Sequence, residues 1–241
     1  MSTLAGVLVA LYLALGAWLD WPGSWAVRRW IEPERDERSR AVALHASERM
    51  RGWREDNERA SAGSIVFLGS STIERMPLDE LFPGKPVLNR GIARASTAEL
   101  QRWLERALPR AAPAAFVVYA GAVDRREDGA SDAEVVERVR ALLEALRARA
   151  PSAAIALLGV LPVRATDPGL FELQQRLGRL AGEFTPAVIF VPTLRPPISS
   201  SDGVLSEELS SDPLHMNGAG SRVLARWIVD DGGVAGRLLA P

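Results

Sequence analysis

Cysteine is absent from this 241-residue chain. That excludes a disulfide framework, a thiol nucleophile and any cysteine-ligated metal, and it leaves the compartment open. Histidine is scarce too, with only His45 and His215 in the sequence. A metal site built on several histidines is therefore disfavoured, and any imidazole chemistry has two candidates. Neither sign of charge dominates: 29 Lys and Arg stand against 30 Asp and Glu, for a formal net charge of -1. Nothing in that balance draws the chain toward nucleic acid. Internal repeats and low-complexity stretches are also lacking, which excludes solenoids and arrays.

What is present allows one sizeable α/β domain and an appendage. Leu4 to Leu19 is almost wholly apolar, at the short end of what spans a bilayer. Trp18, Trp21, Trp25 and Trp30 follow it, as in an interfacial aromatic belt. Met1-Ser2-Thr3 carries no charged side chain, and no small-x-small cleavage site follows. An uncleaved membrane anchor over 1–22 is the expectation, with a buried or partner-binding helix as the alternative. From 23 to 63 the chain is expected to be an amphipathic stalk or linker. Its charge-rich stretch Pro33–Asn57 includes Val42, Ala43, Leu44 and Met50. That stretch reads as a helix that either stands off the domain or packs on it, with His45 a surface residue. The domain proper is expected over 64–241.

The domain opens with Ile65-Val66-Phe67-Leu68 running into Gly69-Ser70-Ser71, a short buried strand ending in a sharp turn. A serine there either caps the following helix or is exposed where open α/β sheets bind ligands. Further strands are expected at Pro86–Leu88, Ala115–Ala120, Ala154–Gly159 and Val188–Val191. Helices are expected near Thr97–Ala107, Asp132–Arg149, Leu170–Glu183 and Gly218–Val229. Ser96-x-x-Glu99 and Ser131-x-x-Glu134 are capping-box patterns at two of these starts. The alternation predicts a parallel sheet with helices on both faces. Pro192 to Asn217 is a long loop rich in Pro, Ser and Gly, and loops of that length are often functional.

In that loop lies Asp212-Pro213-Leu214-His215. An Asp three residues before a His can fix the imidazole tautomer and leave the other ring nitrogen as a base. Gly69-Ser70-Ser71 after the first strand, Val87-Leu88-Asn89-Arg90-Gly91-Ile92, and Asp212-x-x-His215 before the last helix together resemble the SGNH, or GDSL-like, hydrolase superfamily. The resemblance covers about residues 64–230. It implies a three-layer α/β/α, flavodoxin-like fold with a five-stranded parallel sheet. It also implies hydrolysis of an ester or O-acyl group without metal or organic cofactor. By the same resemblance Ser71 is the nucleophile, His215 the base and Asp212 its orienting partner. The substrate would be a small-molecule or glycan-linked acyl ester, with no nucleic acid partner and the membrane reached through the amino-terminal helix. A hydrolase of this kind would lie outside the cytoplasm, whereas Arg28 and Arg29 favour the opposite orientation.

Two positions depart from the family pattern. Its oxyanion hole uses the serine N–H, a glycine N–H and an asparagine side chain. The glycine corresponds to Arg94, and the asparagine to Val123 within Gly121-Ala122-Val123-Asp124. Val123 has no side-chain donor, and Arg94 is strained if its position needs positive φ. Two functions are therefore carried forward. One is a serine esterase with a modified oxyanion hole formed by Ser71, Arg94, Gly121 and Val123. The other is a catalytically impaired module of the same fold that binds an acylated or glycan ligand.

Overall fold

Five short segments, all but one of them apolar, form one parallel sheet, and their alternation with helices dictates the layering. The computed structural model describes residues 33–241. Its elements are α1 (Pro33–Arg59), β1 (Ile65–Gly69), α2 (Ser71–Glu74), α3 (Leu78–Leu81), β2 (Val87–Gly91), α4 (Thr97–Arg102), α5 (Leu104–Ala107), β3 (Ala115–Tyr119), α6 (Ala122–Arg126), α7 (Asp132–Arg149), β4 (Ala154–Leu158), α8 (Leu170–Glu183), β5 (Val188–Val191), α9 (Gly218–Asp231) and α10 (Gly233–Leu239). Two compact units divide the chain, Met1–Ser47 and Glu48–Pro241. Of the first, the described part is the polar first half of α1, with Leu44 exposed and His45 half-buried. The second holds the sheet. The apolar run Leu4–Leu19 and the anchor expected over 1–22 lie outside the described residues. Among the described residues no helix is long and apolar enough to cross a membrane.

The strand order is β2-β1-β3-β4-β5, all pairs parallel. Every residue of β1 and β3 is buried, as expected of central strands covered on both faces. Side chains alternate across the sheet. Near the edge, Ile189 therefore meets Gly233 of α10, while Phe190 meets Gly178 of α8. Ile65 is level with Val87 and Ala115, and Gly69 with Gly91 and Tyr119. The carboxyl ends of β1, β2 and β3 thus finish at one height. The strand order reverses between β1 and β3, which is where open α/β sheets form their binding crevice.

The expected strand Pro86–Leu88 is instead Val87–Gly91. Its polar half survives burial because each group is answered. The Arg90 side chain is 1% exposed. It donates to Ala107 O, Asp56 Oδ2 and Asn57 Oδ1 at 2.9, 3.2 and 2.8 Å and lies over the Trp53 ring. Burial pushes its pKa down, and Asp56 opposes that. The Asn89 amide donates to Ile73 O at 2.8 Å, and its Oδ1 accepts from Gly91 N–H. Gly91 admits no side chain, since a Cβ there would sit 2.1 Å from the Glu74 nitrogen. The helix expected over Thr97–Ala107 is interrupted at Trp103, which leaves α4 and α5. A further helix, α10, forms despite its Gly-Gly-Val-Ala-Gly start, which gives no helical signal. Gly236 is what lets it close on α9, because a Cβ would meet Ile228 O and Val229 O at 2.4 Å.

Candidate active site

Gly69 ends β1, and the chain turns at once into the single turn of α2. Ser70 occupies its N-cap position, yet its side chain makes no capping hydrogen bond. Ser71 is the first helical residue, so its N–H has no acceptor within the helix. Its Oγ lies 2.9 Å from His215 Nε2. The capping role open to either serine is thus taken by neither hydroxyl.

His215 arrives from the long loop, which is not formless. Leu205 and Met216 form isolated bridges with Ser199 and Ser210, and a 3-10 turn covers Glu207–Leu209. Asp212 folds its own segment: Oδ1 accepts from Leu214 N–H at 2.8 Å and from His215 N–H at 2.9 Å, a turn this residue type favours. The same carboxylate stands 2.8 Å (Oδ1) and 2.9 Å (Oδ2) from His215 Nδ1. Asn217 then caps α9 by accepting from Ala219 and Gly220 N–H. With Nδ1 donating to Asp212, Nε2 is left to accept from the Ser71 hydroxyl. The structure therefore brings Ser71, His215 and Asp212 into one hydrogen-bonded row.

A fourth group, which the sequence did not signal, joins the row. Arg75 Nη1 donates to Asp212 Oδ2 at 3.1 Å. Arg75 ends the turn that Ser71 begins, so α2 touches both ends of the Asp212-x-x-His215 segment. Desolvation is the largest influence on Asp212 and raises its pKa. Hydrogen bonds from Leu214 N–H, His215 and Arg75 outweigh it and hold the carboxyl at about 2, against an ordinary 3.8.

The other expected site residues are more scattered. Arg94 lines the cleft and has φ +62°, the one positive φ at a non-glycine among the described residues. Its backbone keeps the left-handed conformation that suits glycine. The side chain turns aside, with Nε and Nη2 at 2.9 and 2.8 Å from Glu127 Oε2. Val123 is 7% exposed and presents its isopropyl group to the same cleft. Gly121 lies behind the wall. Its φ of +92° makes the turn into α6, and its N–H donates to Thr97 Oγ1 at 3.0 Å. Thr97 Oγ1 in turn donates to the fully buried Asp124 at 2.6 Å, which also accepts from Arg138. This network fixes the start of α6 and the wall that Val123 occupies.

Between these elements is an open cleft of about 570 Å³, with Ser71 and His215 in its lining and Ala122, Val123 and Leu214 as its apolar walls. A cleft of that size and lining can hold a small organic ligand. Residues 69–223 match the model of the GDSL-like lipase/acylhydrolase family. Among solved structures, one from Streptococcus pneumonia, provisionally described as a platelet activating factor, is 25% identical with a TM-score of 0.72, covering 80% of this chain and 94% of that one. A GDSL-like lipase from Bacteroides thetaiotaomicron is 19% identical with a TM-score of 0.61, covering 74% and 94%. A carbohydrate esterase family 3 protein from Talaromyces cellulolyticus is 16% identical with a TM-score of 0.55, covering 69% and 94%. No curated protein sequence matches the chain.

Proposed function

This chain belongs to the GDSL-like lipase/acylhydrolase family, and from that premise we propose a serine acyl hydrolase that works through an acyl-enzyme on Ser71. The observation that carries the reading is the row Ser71 Oγ, His215 Nε2, His215 Nδ1, Asp212, with contacts of 2.9 and 2.8 Å. His215 takes the Ser71 proton as the oxygen attacks the ester carbonyl. Asp212 stabilises the imidazolium that forms. The tetrahedral intermediate collapses as His215 gives the proton to the departing alcohol. Water, activated by the same histidine, then releases the acid and regenerates Ser71.

The negative oxygen of the intermediate is met by the backbone N–H groups of Ser71 and Arg94. The asparagine donor of the family is absent at Val123. Losing one such donor costs about 2.7–4 kcal/mol, or roughly 10²–10³ in turnover. A slow enzyme on simple esters is the expected behaviour. Small acyl esters, free or carried on a glycan, are the substrate class, and the apolar run Leu4–Leu19 holds the chain at a membrane. Fluorophosphonate labelling tests the reading. Wild type should carry the adduct on Ser71 and Ser71→Ala should carry none. A folded wild type that stays unlabelled would overturn it and favour a binding module, and an adduct on Ser70 would overturn the assignment to Ser71.

A further inference from the structure

Charge in the cleft is not balanced. Three arginines line it: Arg75, Arg94 and Arg126. Arg75 is answered by Asp212 and Arg94 by Glu127. Arg126 is the last residue of α6, three places after Val123, so the two share a side of the helix. Its Nη2 donates to Leu161 O at 2.5 Å, which pins the guanidinium. Its Nε is buried with no hydrogen-bond partner. Among the described residues no carboxylate pairs with it. Asp167 feels its charge, but both oxygens of that carboxylate are committed to Arg125, at 3.2 and 2.7 Å. The contrast between neighbours is sharp, since Arg125 holds two carboxylates, Asp132 and Asp167.

A half-buried cation with no carboxylate bonded to it is a costly arrangement unless something supplies the charge. The guanidinium fork matches the two oxygens of a carboxylate or phosphate. We propose that the cleft selects esters bearing an anionic group, carboxylate or phosphate, and that Arg126 is the residue that pairs with it. The inference rests on the hydrolase reading above and adds a substrate class to it. Arg94 is the less suited arginine, because Glu127 already engages its Nε and Nη2.

The test compares matched pairs of esters. Mono(4-nitrophenyl) glutarate against 4-nitrophenyl valerate places the charge on the acyl side. 4-Acetoxybenzoate against 4-methylphenyl acetate places it on the alcohol side. The quantity read is the ratio of kcat/KM, anionic over neutral, at low ionic strength. Wild type should prefer the anionic member of one pair. Arg126→Gln should cut that preference about tenfold or more, and Arg126→Lys should restore part of it. No preference in either pair, or an unchanged ratio in Arg126→Gln, overturns the proposal. Calorimetry with monomethyl glutarate on Ser71→Ala, with and without Arg126→Gln, gives a readout free of turnover. Weaker binding in the double variant supports the anion site even if no ester is hydrolysed, an outcome that would defeat the hydrolase reading alone. No binding, or equal binding by both chains, overturns the anion site.

Discussion

Placing an amide donor at Val123, where the proposed mechanism lacks one, is the sharpest perturbation available. Val123 is the second residue of α6, lines the cleft with Ser71, and is held by a helix start that Gly121, Thr97 and Asp124 lock together. Val123→Asn exchanges an isopropyl group for an amide only one heavy atom larger. An amide donor aimed at the developing negative oxygen contributes about 2.7–4 kcal/mol in a well-formed hole. Two effects reduce that here. The amide is placed in a wall 93% removed from solvent, which costs stability of about 1–3 kcal/mol where its groups go unpaired. The Arg94 side chain also lines the same cleft. A rise in kcat of roughly 10–100-fold is therefore expected, with KM nearly unchanged, because the gain exists only in the transition state. Steady-state hydrolysis of 4-nitrophenyl butyrate measures it, with Val123→Leu as the control for simple repacking. A folded Val123→Asn whose kcat stays within about threefold of wild type would refute the oxyanion argument.

Four further expectations can be measured. Arg94→Gly should raise the melting temperature by roughly 1–3 °C, since relief of about 1 kcal/mol of left-handed strain exceeds the loss of a solvent-exposed ion pair; a fall in melting temperature would contradict the strain. Asp212 has its pKa depressed from 3.8 to about 2, so its stabilising contribution is complete above the unfolded value and is lost as pH falls through about 2. The melting temperature of wild type should therefore drop more steeply than that of Asp212→Asn between about pH 4 and 2, and parallel curves would refute it. The full chain should partition with membranes, while a chain begun near Pro33 should stay in solution and fold. One begun at Ser61 removes Asp56, Asn57 and Trp53 from the buried Arg90 and should be destabilised by about 3–5 kcal/mol in urea unfolding, as for a buried pair that loses one partner. Equal stability of the two truncated chains would show that those contacts contribute nothing.

Elements with a strong local signal could be read from the sequence residue for residue. Asp132–Arg149, Leu170–Glu183 and Val188–Val191 have the expected bounds. Both capping boxes close from both sides, at Ser96 with Glu99 and Ser131 with Glu134. The parallel sheet follows from the alternation of strands and helices, whereas its order is given by the fold. The unread parts depend on partners far away in sequence. Asn89 and Arg90 look like a loop until the carbonyls of 73 and 107 and the side chains of 56 and 57 are brought to them. Arg75 and Arg126 carry no motif, and their standing in the cleft comes from Asp212 and Leu161, which only the fold delivers. The positive φ of Arg94 was foreseeable only through the family glycine it replaces, because nothing in an arginine announces that conformation.

The turn after β1 grips the distant loop twice, at Ser71 with His215 and at Arg75 with Asp212, across 144 and 137 residues. Both grips are near the surface, while the sheet beneath is held by strands buried throughout. Regions of so different a local stability open separately, the weaker first. The hydrogen-bonded row of Ser71, His215 and Asp212 is thus a property of the closed loop and not of the sheet. A molecule whose loop has swung away keeps its circular-dichroism signal and loses the contact between Ser71 and His215. In a denaturant series phosphonate labelling of Ser71 should fade ahead of secondary structure, and the interval between the two midpoints would measure how tightly the loop is latched to the turn after β1.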